Sequence, residues 1–193
     1  MAIAAPSPLL TGQRTVLRPV EEGDASFILK QRLDPRIGAH LHATSPDLSS
    51  QQLWIRQQRE RPDDYYFAIC LRGTGEMRGV IGLYNVTAQE AELGRYICIG
   101  APEQAMEGSL LLQHWALETL GLNVVYCTFT PANRTTRVLT RVQQWYRHPE
   151  PVTDALTGTL LERWQTDQQT FRANRPRLLQ RLEALREAAG PTR

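Results

Sequence analysis

The chain of 193 residues has little of what marks several large classes of protein. Its three cysteines are odd in number, show no metal-ligand spacing and lie in apolar runs, which favours buried thiols in a reducing compartment. Basic and acidic residues number 22 and 20, so the charge balance indicates no nucleic-acid partner. No apolar run is long enough to span a bilayer, and the first ten residues lack a basic n-region. We therefore expect a cytoplasmic protein without a signal peptide or a membrane partner.

Internal repeats and low-complexity linkers are also missing, and the length suits one domain over residues 1–193. Apolar spacing and breaker residues predict a strand, two helices, three strands, a helix, a strand, a short helix and a weaker end. In that end, "GTLLERWQ" is a candidate strand, and residues 170–188 have the leucine spacing of an amphipathic helix. The order predicts an α/β fold: a mixed, mostly antiparallel, twisted sheet flanked by helices.

The stretch "GRYICIGAPEQAMEGSLLLQHW" joins a buried strand to a helix that begins near Glu103. Small residues at a helix start suit an anion, because free N–H groups and the positive end of the helix dipole are exposed there. Gly108 and Ser109 are the small residues concerned. A small face would equally let the helix pack closely on a sheet, so the residues alone leave anion binding and packing as alternatives.

Three segments, taken in order, carry a family likeness: "RTVLRPVEEGDASFILKQRLDP", then "GVIGLYNV" with "AELGRYICIG", and then "LGLNVVYCTFTPANRTTRVL". Together they resemble the GNAT superfamily of acetyl-CoA-dependent N-acetyltransferases, closest to its ribosomal-protein-alanine and amino-sugar branches. The first segment is similar to the opening strand and helix of that branch, the second to its central hairpin, and the third to the strand and helix that follow the cofactor loop. The resemblance is clearest over residues 11–145.

The resemblance implies that the fourth strand splays from the fifth and that acetyl-CoA, as co-substrate, lies in the wedge between them. The pantetheine arm would pair with the backbone around residues 96–99, and the pyrophosphate would lie near residues 104–109. The implied cofactor contacts are Ile97, Cys98, Ile99, Gln104, Gly108, Ser109, Asn133 and Arg137. No metal is expected, because the four histidines show no ligand spacing.

Two segments depart from the family pattern. The usual cofactor-loop signature Gln/Arg-x-x-Gly-x-Gly/Ala is replaced by "EQAMEGSLLL", in which Gln104 lies one residue too far from Gly108. "QQWYRHPEP" replaces the usual Leu-Gly-Phe ending, with Gln144 at the glycine position and Trp145 at the aromatic position. These departures favour the alternative of a non-catalytic module of this fold, with a degenerate acetyl-CoA site and a role in binding or assembly.

Acetyl transfer to an amine needs a base for the attacking ammonium and a donor for the oxyanion that forms at the thioester. Glu92 begins the strand beside the implied wedge and is the expected base. The backbone N–H of Ile97 or Cys98 is the expected oxyanion donor.

The leaving thiolate also needs an acid. Thr136 falls where the ribosomal-protein branch has a serine near the thiol, and Thr140 where many members have a tyrosine acid. A threonine hydroxyl is a poor acid, so the acid is either water or another residue. Tyr96 is our catalytic candidate, with Tyr126 and Tyr146 as alternatives.

The expected reaction is therefore direct attack, in a ternary complex, of a primary amine on acetyl-CoA. At the level of the branch, the acceptor would be an amino sugar, another small molecule or a protein N-terminus. A homodimer stays open, because dimers are frequent in the superfamily.

Overall fold

The structure is a computed structural model that describes residues 7–190. The first six residues, on which part of the signal-peptide expectation rests, and both ends of the predicted domain lie outside the described residues. Over the described range the strands are β1 (Leu10–Thr11), β2 (Thr15–Pro19), β3 (Tyr65–Leu71), β4 (Met77–Tyr84), β5 (Glu90–Cys98), β6 (Val124–Phe129), β7 (Tyr146–Arg147), β8 (Val152–Thr153) and β9 (Leu160–Asp167). The helices there are α1 (Ala25–Leu33), α2 (Pro35–Gly38), α3 (Leu48–Arg59), α4 (Pro102–His114), α5 (Arg134–Val142) and α6 (Gln168–Ala189).

The strands form one mixed sheet in the order β1-β2-β3-β4-β5-β6-β9-β7, and β8 pairs with β9. Every pair is antiparallel except β5 with β6, which are joined by the crossover helix α4. The predicted α/β class with a mostly antiparallel sheet is confirmed. "GTLLERWQ" does form the last long strand, β9, and the predicted C-terminal helix is α6.

The sheet has a hydrophobic core on each face, because apolar side chains alternate along its strands. One face packs against α4 and α6, with Leu17, Phe67 and Leu83 fully buried. The other face packs against α1 and α3 through Ala68 and Ile97, among others. Helices therefore cover both faces. A π-helical turn, Trp115–Thr119, extends α4.

Strands β5 and β6 pair over a short distance only. Glu90, Ala91 and Glu92 are opposite residues 124–126, and no further pairing follows although β5 runs on to Cys98 and β6 to Phe129. The two strands thus separate toward their carboxyl ends, which produces the expected wedge. No helix within residues 7–190 combines the length and the hydropathy needed to cross a bilayer.

Candidate functional site

A cavity of about 110 Å³ lies where β5 and β6 separate. Its walls come from both strands, from α4 and α5, and from the segment after α2. Residues that line it include Leu93, Tyr96, Thr128, Phe129, Thr136 and Gln143. Because the wedge is a gap in the sheet, residues of β5 lie on one side of the cavity and residues of α5 on the other.

A β-bulge shapes the β5 wall of this cavity. The register of β4 with β5 shifts between Val80, opposite Ile97, and Gly82, opposite Gly94. Arg95, within the bulge, has a φ of +48°, a conformation that costs energy for a residue other than glycine. Bulges leave a backbone residue unpaired, and they are frequent beside active sites. The bulge therefore offers backbone groups of β5 to the wedge.

The side chain of Arg95 holds the bulge in place. Its guanidinium forms a two-pronged ion pair with Asp64, with Nη2 at 2.9 Å from Oδ2, and it lies 4.2 Å from the ring centre of Tyr84. These partners belong to the α1 and α3 face of the sheet. The Arg95 side chain is thus drawn away from the α4 face, while the residue itself still lines the cavity.

The backbone ladder beyond the bulge distinguishes the two predicted oxyanion donors. Ile99 N–H donates to Arg78 O of β4 at 2.8 Å. In an antiparallel ladder alternate residues face the same neighbour, so Ile97 faces β4 while the backbone of Cys98 faces the wedge. The N–H of Cys98 is therefore better placed than that of Ile97. Burial raises the pKa of the Cys98 thiol, which is consistent with a protonated side chain.

Glu92 lies at the last pair of β5 with β6, opposite Tyr126. One carboxylate oxygen accepts from Thr128 Oγ1 at 2.6 Å, and the other accepts from Asn85 Nδ2 at 3.0 Å. Thr128 itself lines the cavity. The carboxylate is therefore positioned by two neutral donors at the apex of the wedge, and among the described residues no basic side chain forms an ion pair with it.

The start of α5 brings two of the predicted residues to the cavity. Asn133 caps the helix by accepting from Thr136 N–H at 3.0 Å, and both residues line the cavity. Arg137, predicted as a phosphate contact, pairs with Glu162, with Nη2 at 2.9 Å from Oε1. Its guanidinium is thus already held by β9.

Tyr96 lines the cavity, but its hydroxyl donates to Ala105 O of α4 at 2.7 Å. Burial raises the pKa of this phenol well above its ordinary value. A phenol with a raised pKa that donates to a helix carbonyl is a poor proton source for a thiolate. Tyr96 is therefore at the predicted site, with a geometry that suits a structural hydrogen bond.

The predicted pyrophosphate cradle over residues 104–109 needs revision. These residues lie inside α4, which begins at Pro102. Gln104 N–H bonds to Ala101 O at 3.0 Å, and Gln104 Oε1 accepts from Ala101 N–H at 3.2 Å. Gly108, the seventh residue of α4, has its N–H inside the helix ladder. These N–H groups are not free for a phosphate.

Gly108 and Ser109 instead match the packing alternative. A Cβ at Gly108 would lie 3.5 Å from Leu17 and 3.6 Å from Ile69, so this position faces the sheet. Ser109 is buried, and its hydroxyl donates to Gln143 Oε1 at 3.1 Å. Ser109 does line the cavity, but it lies two turns into α4 and not at the start of the helix.

Sequence reasoning missed the polar cluster that contains Ser109. Gln113, Gln143 and Trp145 complete it, all three being buried. The available signal was that glutamine occupies two positions whose helical neighbours are apolar, which marks buried polar groups in need of partners. The partners come from residues about 30 positions away, so local pattern could not identify them.

A loop that follows α2 closes the cavity on the α1 side. His40 and Leu41 line the cavity, and His42 Nε2 lies 2.8 Å from Asp154 Oδ2 on the turn between β8 and β9. This contact joins the loop after α2 to the turn between β8 and β9. Among residues 7–190 no three His, Cys, Asp or Glu side chains cluster in a way that would hold a metal ion.

Comparisons with known proteins agree with this geometry. Residues 14–143 match the model of the acetyltransferase (GNAT) domain family. The chain belongs to this family, and the prediction of an acyltransferase enzyme is confirmed at that level. No curated protein sequence matches the chain.

Solved structures show the same fold. Apo FdhC, a nucleotide-linked sugar GNAT, has 20% identity and a TM-score of 0.72, over 89% of this chain and 96% of that one. An acetyltransferase from Agrobacterium tumefaciens has 24% identity and a TM-score of 0.66, over 81% and 93%. A protein from Vibrio cholerae, provisionally a ribosomal-protein-serine acetyltransferase, has 18% identity and a TM-score of 0.68, over 84% and 98%.

Proposed function

We propose that the protein is an N-acetyltransferase that transfers the acetyl group of acetyl-CoA to a primary amine by direct attack in a ternary complex. The observation that carries the proposal is the cavity at the β5 and β6 wedge, which has Thr128, Asn133 and Thr136 on its wall. Glu92 does not line the cavity itself; it lies at the last β5–β6 pair and accepts a hydrogen bond from the lining residue Thr128. The apolar surfaces of the cavity suit an aliphatic thioester arm, and its backbone edge suits the amides of that arm.

Glu92 would accept a proton from the attacking ammonium, directly or through water. Its two hydrogen bonds come from neutral donors, so the carboxylate keeps lone pairs for a further donor while its orientation is set. General base catalysis would require that this carboxylate reach the ammonium of the acceptor, directly or through one water. The backbone N–H of Cys98, which faces the wedge, would stabilise the oxyanion.

The thiolate would be protonated by water or by a group that approaches with the acceptor. Thr136 borders the cavity and its hydroxyl would bind near the sulfur, while Tyr96 already donates to α4. We assign Tyr96 to the cavity wall. The phosphates of acetyl-CoA would bind outside the N-terminus of α4. Arg134, which is exposed at the start of α5, is the candidate cation that would bind them.

The acceptor would be an amino sugar, another small amine or a protein N-terminus. The first is supported by the similarity to a nucleotide-linked sugar GNAT, and the last by the similarity to the Vibrio cholerae protein. Three free cysteines support a reducing compartment such as the cytoplasm. A homodimer would be compatible with either acceptor.

The test is a calorimetric titration with acetyl-CoA of the wild type and of two matched variants. Thr136→Phe fills the cavity, while Thr135→Phe places the same ring on the exposed side of α5. We expect binding by the wild type and by Thr135→Phe, and at least tenfold weaker binding by Thr136→Phe. A panel of amines, with coenzyme A release as the readout, would then identify the acceptor.

The alternative of a non-catalytic module rests on one observation, the three-residue connection between β5 and α4. That connection presents no row of free N–H groups to a pyrophosphate. If the folded wild type does not bind acetyl-CoA, the enzyme proposal fails and the module is favoured. If it binds but releases no coenzyme A with any amine, binding without catalysis is favoured.

A further inference from the structure

A buried chain of hydrogen bonds runs from α5 to α4 behind the cavity. Trp145 Nε1 donates to Gln113 Oε1 at 3.0 Å. Gln113 Nε2 donates to Gln143 Oε1 at 2.6 Å and to Ser109 Oγ at 3.0 Å, and Ser109 Oγ donates to Gln143 Oε1 at 3.1 Å. We call these four residues the glutamine network.

The direction of the glutamine network is set by Trp145 and by the backbone carbonyl of Ser109, which accepts from Gln113 Nε2 at 3.1 Å. An indole N–H is a donor and never an acceptor, so the end of Gln113 that faces Trp145 must be its oxygen. The NH₂ of Gln113 then faces Gln143, which must present its own oxygen in return. Neither amide can be reversed without opposing two donors, although O and N of an amide otherwise look alike. The end of Gln143 that remains is therefore its NH₂.

That NH₂ has no hydrogen-bond partner within the described part of the chain. Gln143 is 3% exposed, its Nε2 atom is buried, and the residue lines the wedge cavity. Buried donors in folded proteins are almost always paired, and an unpaired one destabilises the fold. A ligand with an acceptor oxygen would remove that penalty.

Three other hydroxyl groups around the cavity are already engaged, whereas that of Thr136 is the one proposed to bind near the sulfur. Tyr96 donates to Ala105 O, Thr140 donates to Arg137 O, and Thr128 donates to Glu92. Beside Gln143 the cavity wall is formed by Leu139 and by Ser109 and Thr140, whose hydroxyls are engaged. A ligand that fits this part of the wall is therefore aliphatic with a carbonyl group.

We propose that Gln143 is a ligand-binding residue whose Nε2 donates a hydrogen bond to a carbonyl oxygen of the acylated pantetheine arm. The inference rests on the proposed use of acetyl-CoA. It adds Gln143 as a residue that recognises the pantetheine arm. Two carbonyl types have the required chemistry, the amides within the arm and the acyl carbonyl of the thioester.

The test is a calorimetric titration of Gln143→Met with acetyl-CoA and, separately, with free coenzyme A. Methionine keeps the length of the side chain and removes the donor. Gln144→Met is the matched control, since Gln144 is exposed and lies outside the cavity. We expect about tenfold weaker binding for Gln143→Met and no change for the control. An equal loss for both ligands indicates an arm amide, and a loss for acetyl-CoA alone indicates the acyl carbonyl.

A second measurement is independent of whether Gln143→Met folds. In the wild type labelled with nitrogen-15, the side-chain NH₂ resonances of Gln143 should shift on addition of acetyl-CoA, while those of Gln144 stay in place. The inference is overturned if backbone resonances around Thr136 shift and those of the Gln143 side chain do not. Unchanged affinity of a folded Gln143→Met would overturn it as well, with the proposed function intact. Failure of the wild type to bind would overturn both.

Discussion

Helix α4 carries two buried polar clusters that differ in what they leave unpaired. Toward α6, Glu107 accepts from Gln13 N–H at 2.5 Å, from Arg14 N–H at 3.1 Å and from Arg186 Nη2 at 2.7 Å. Toward α5, the glutamine network satisfies its oxygens and leaves one buried NH₂, on the cavity-lining residue Gln143, without a partner. Arg186 also has one unpaired N–H, at Nε, but its charge is matched by Glu107.

The difference distinguishes a structural cluster from a binding one. The Glu107 cluster joins α4 to α6 and to the turn before β2, and its buried carboxylate accepts three hydrogen bonds, one of them from the charged Arg186. The glutamine network is rigid at one end and unsatisfied at the other. Fixed donors aimed at a cavity cost little further ordering when a ligand binds, which is the general basis of preorganised sites.

The largest effect is expected from breaking the Glu107 cluster. Arg186→Met would leave a buried carboxylate unpaired, because both side chains of the pair are at most 7% exposed. We expect the free energy of unfolding to fall by about 3–5 kcal/mol, measured by urea denaturation. Arg172→Met is the control, since Arg172 pairs with Glu118 between the same elements at the surface. Equal losses in the two variants would contradict a structural role for the buried pair.

Glu92 should behave differently from Glu107, because its carboxylate accepts hydrogen bonds only from neutral donors. Glu92→Gln keeps an oxygen that can accept from Asn85 and gains an NH₂ that can donate to the Thr128 hydroxyl, but it cannot accept a proton. We expect kcat/KM to fall about a hundredfold, which corresponds to about 2.7 kcal/mol, with little change in stability. Glu90→Gln serves as the control, because Glu90 is paired with Arg163. Activity that survives Glu92→Gln would remove Glu92 from the role of base.

The residue next to the glutamine network is strained. Gln144 has a φ of +61° at the position where the family usually has glycine. Gln144→Gly should raise the free energy of unfolding by about 0.5–1 kcal/mol, since relief of the strain exceeds the added entropy of the unfolded chain. Gln144→Ala keeps the strain and should not stabilise. If glycine destabilises as well, the side chain of Gln144 rather than its backbone decides stability there.

The smallest effect concerns the direction of the glutamine network. Trp145→Phe removes the obligate donor, so the two amides can reverse for part of the time, although the Ser109 carbonyl still favours the NH₂ of Gln113 at 3.1 Å. The loss of affinity caused by Gln143→Met should then be smaller than about tenfold in the Trp145→Phe background, measured by calorimetry. A loss of unchanged size in the double variant would show that Trp145 does not set the direction.

Three residues other than glycine have a positive φ in the part of the chain that the structure describes, and all lie near the wedge. Asn85 binds Glu92, Arg95 forms the bulge in β5, and Gln144 adjoins the glutamine network. Asparagine tolerates this conformation, while arginine and glutamine do so at a cost. Strain that collects around one site is typical of functional regions, where the surrounding structure maintains it.

Parts of the site were predictable because they depend on neighbours in the sequence. Asn133 and Thr136 are three residues apart, which is the spacing of a helix cap, and both border the cavity. The family resemblance placed Glu92 beside the wedge. The role of Gly108 was harder to predict, because a small residue in a helix suits anion binding and packing on a sheet equally well. Its packing partners Leu17 and Ile69 are distant in sequence.

The amino-acid sequence by itself determined the order of strands and helices, the α/β class and the likeness to GNAT acetyltransferases, because apolar period, breakers and caps act over a few residues. Only the tertiary structure decided which polar groups are used up and which remain. The Tyr96 hydroxyl donates a hydrogen bond to a carbonyl of α4, the Arg137 guanidinium pairs with a carboxylate of β9, and the NH₂ of Gln143 has no partner among the described residues. Those outcomes depend on partners brought together by packing, where each donor has a limited number of acceptors within reach.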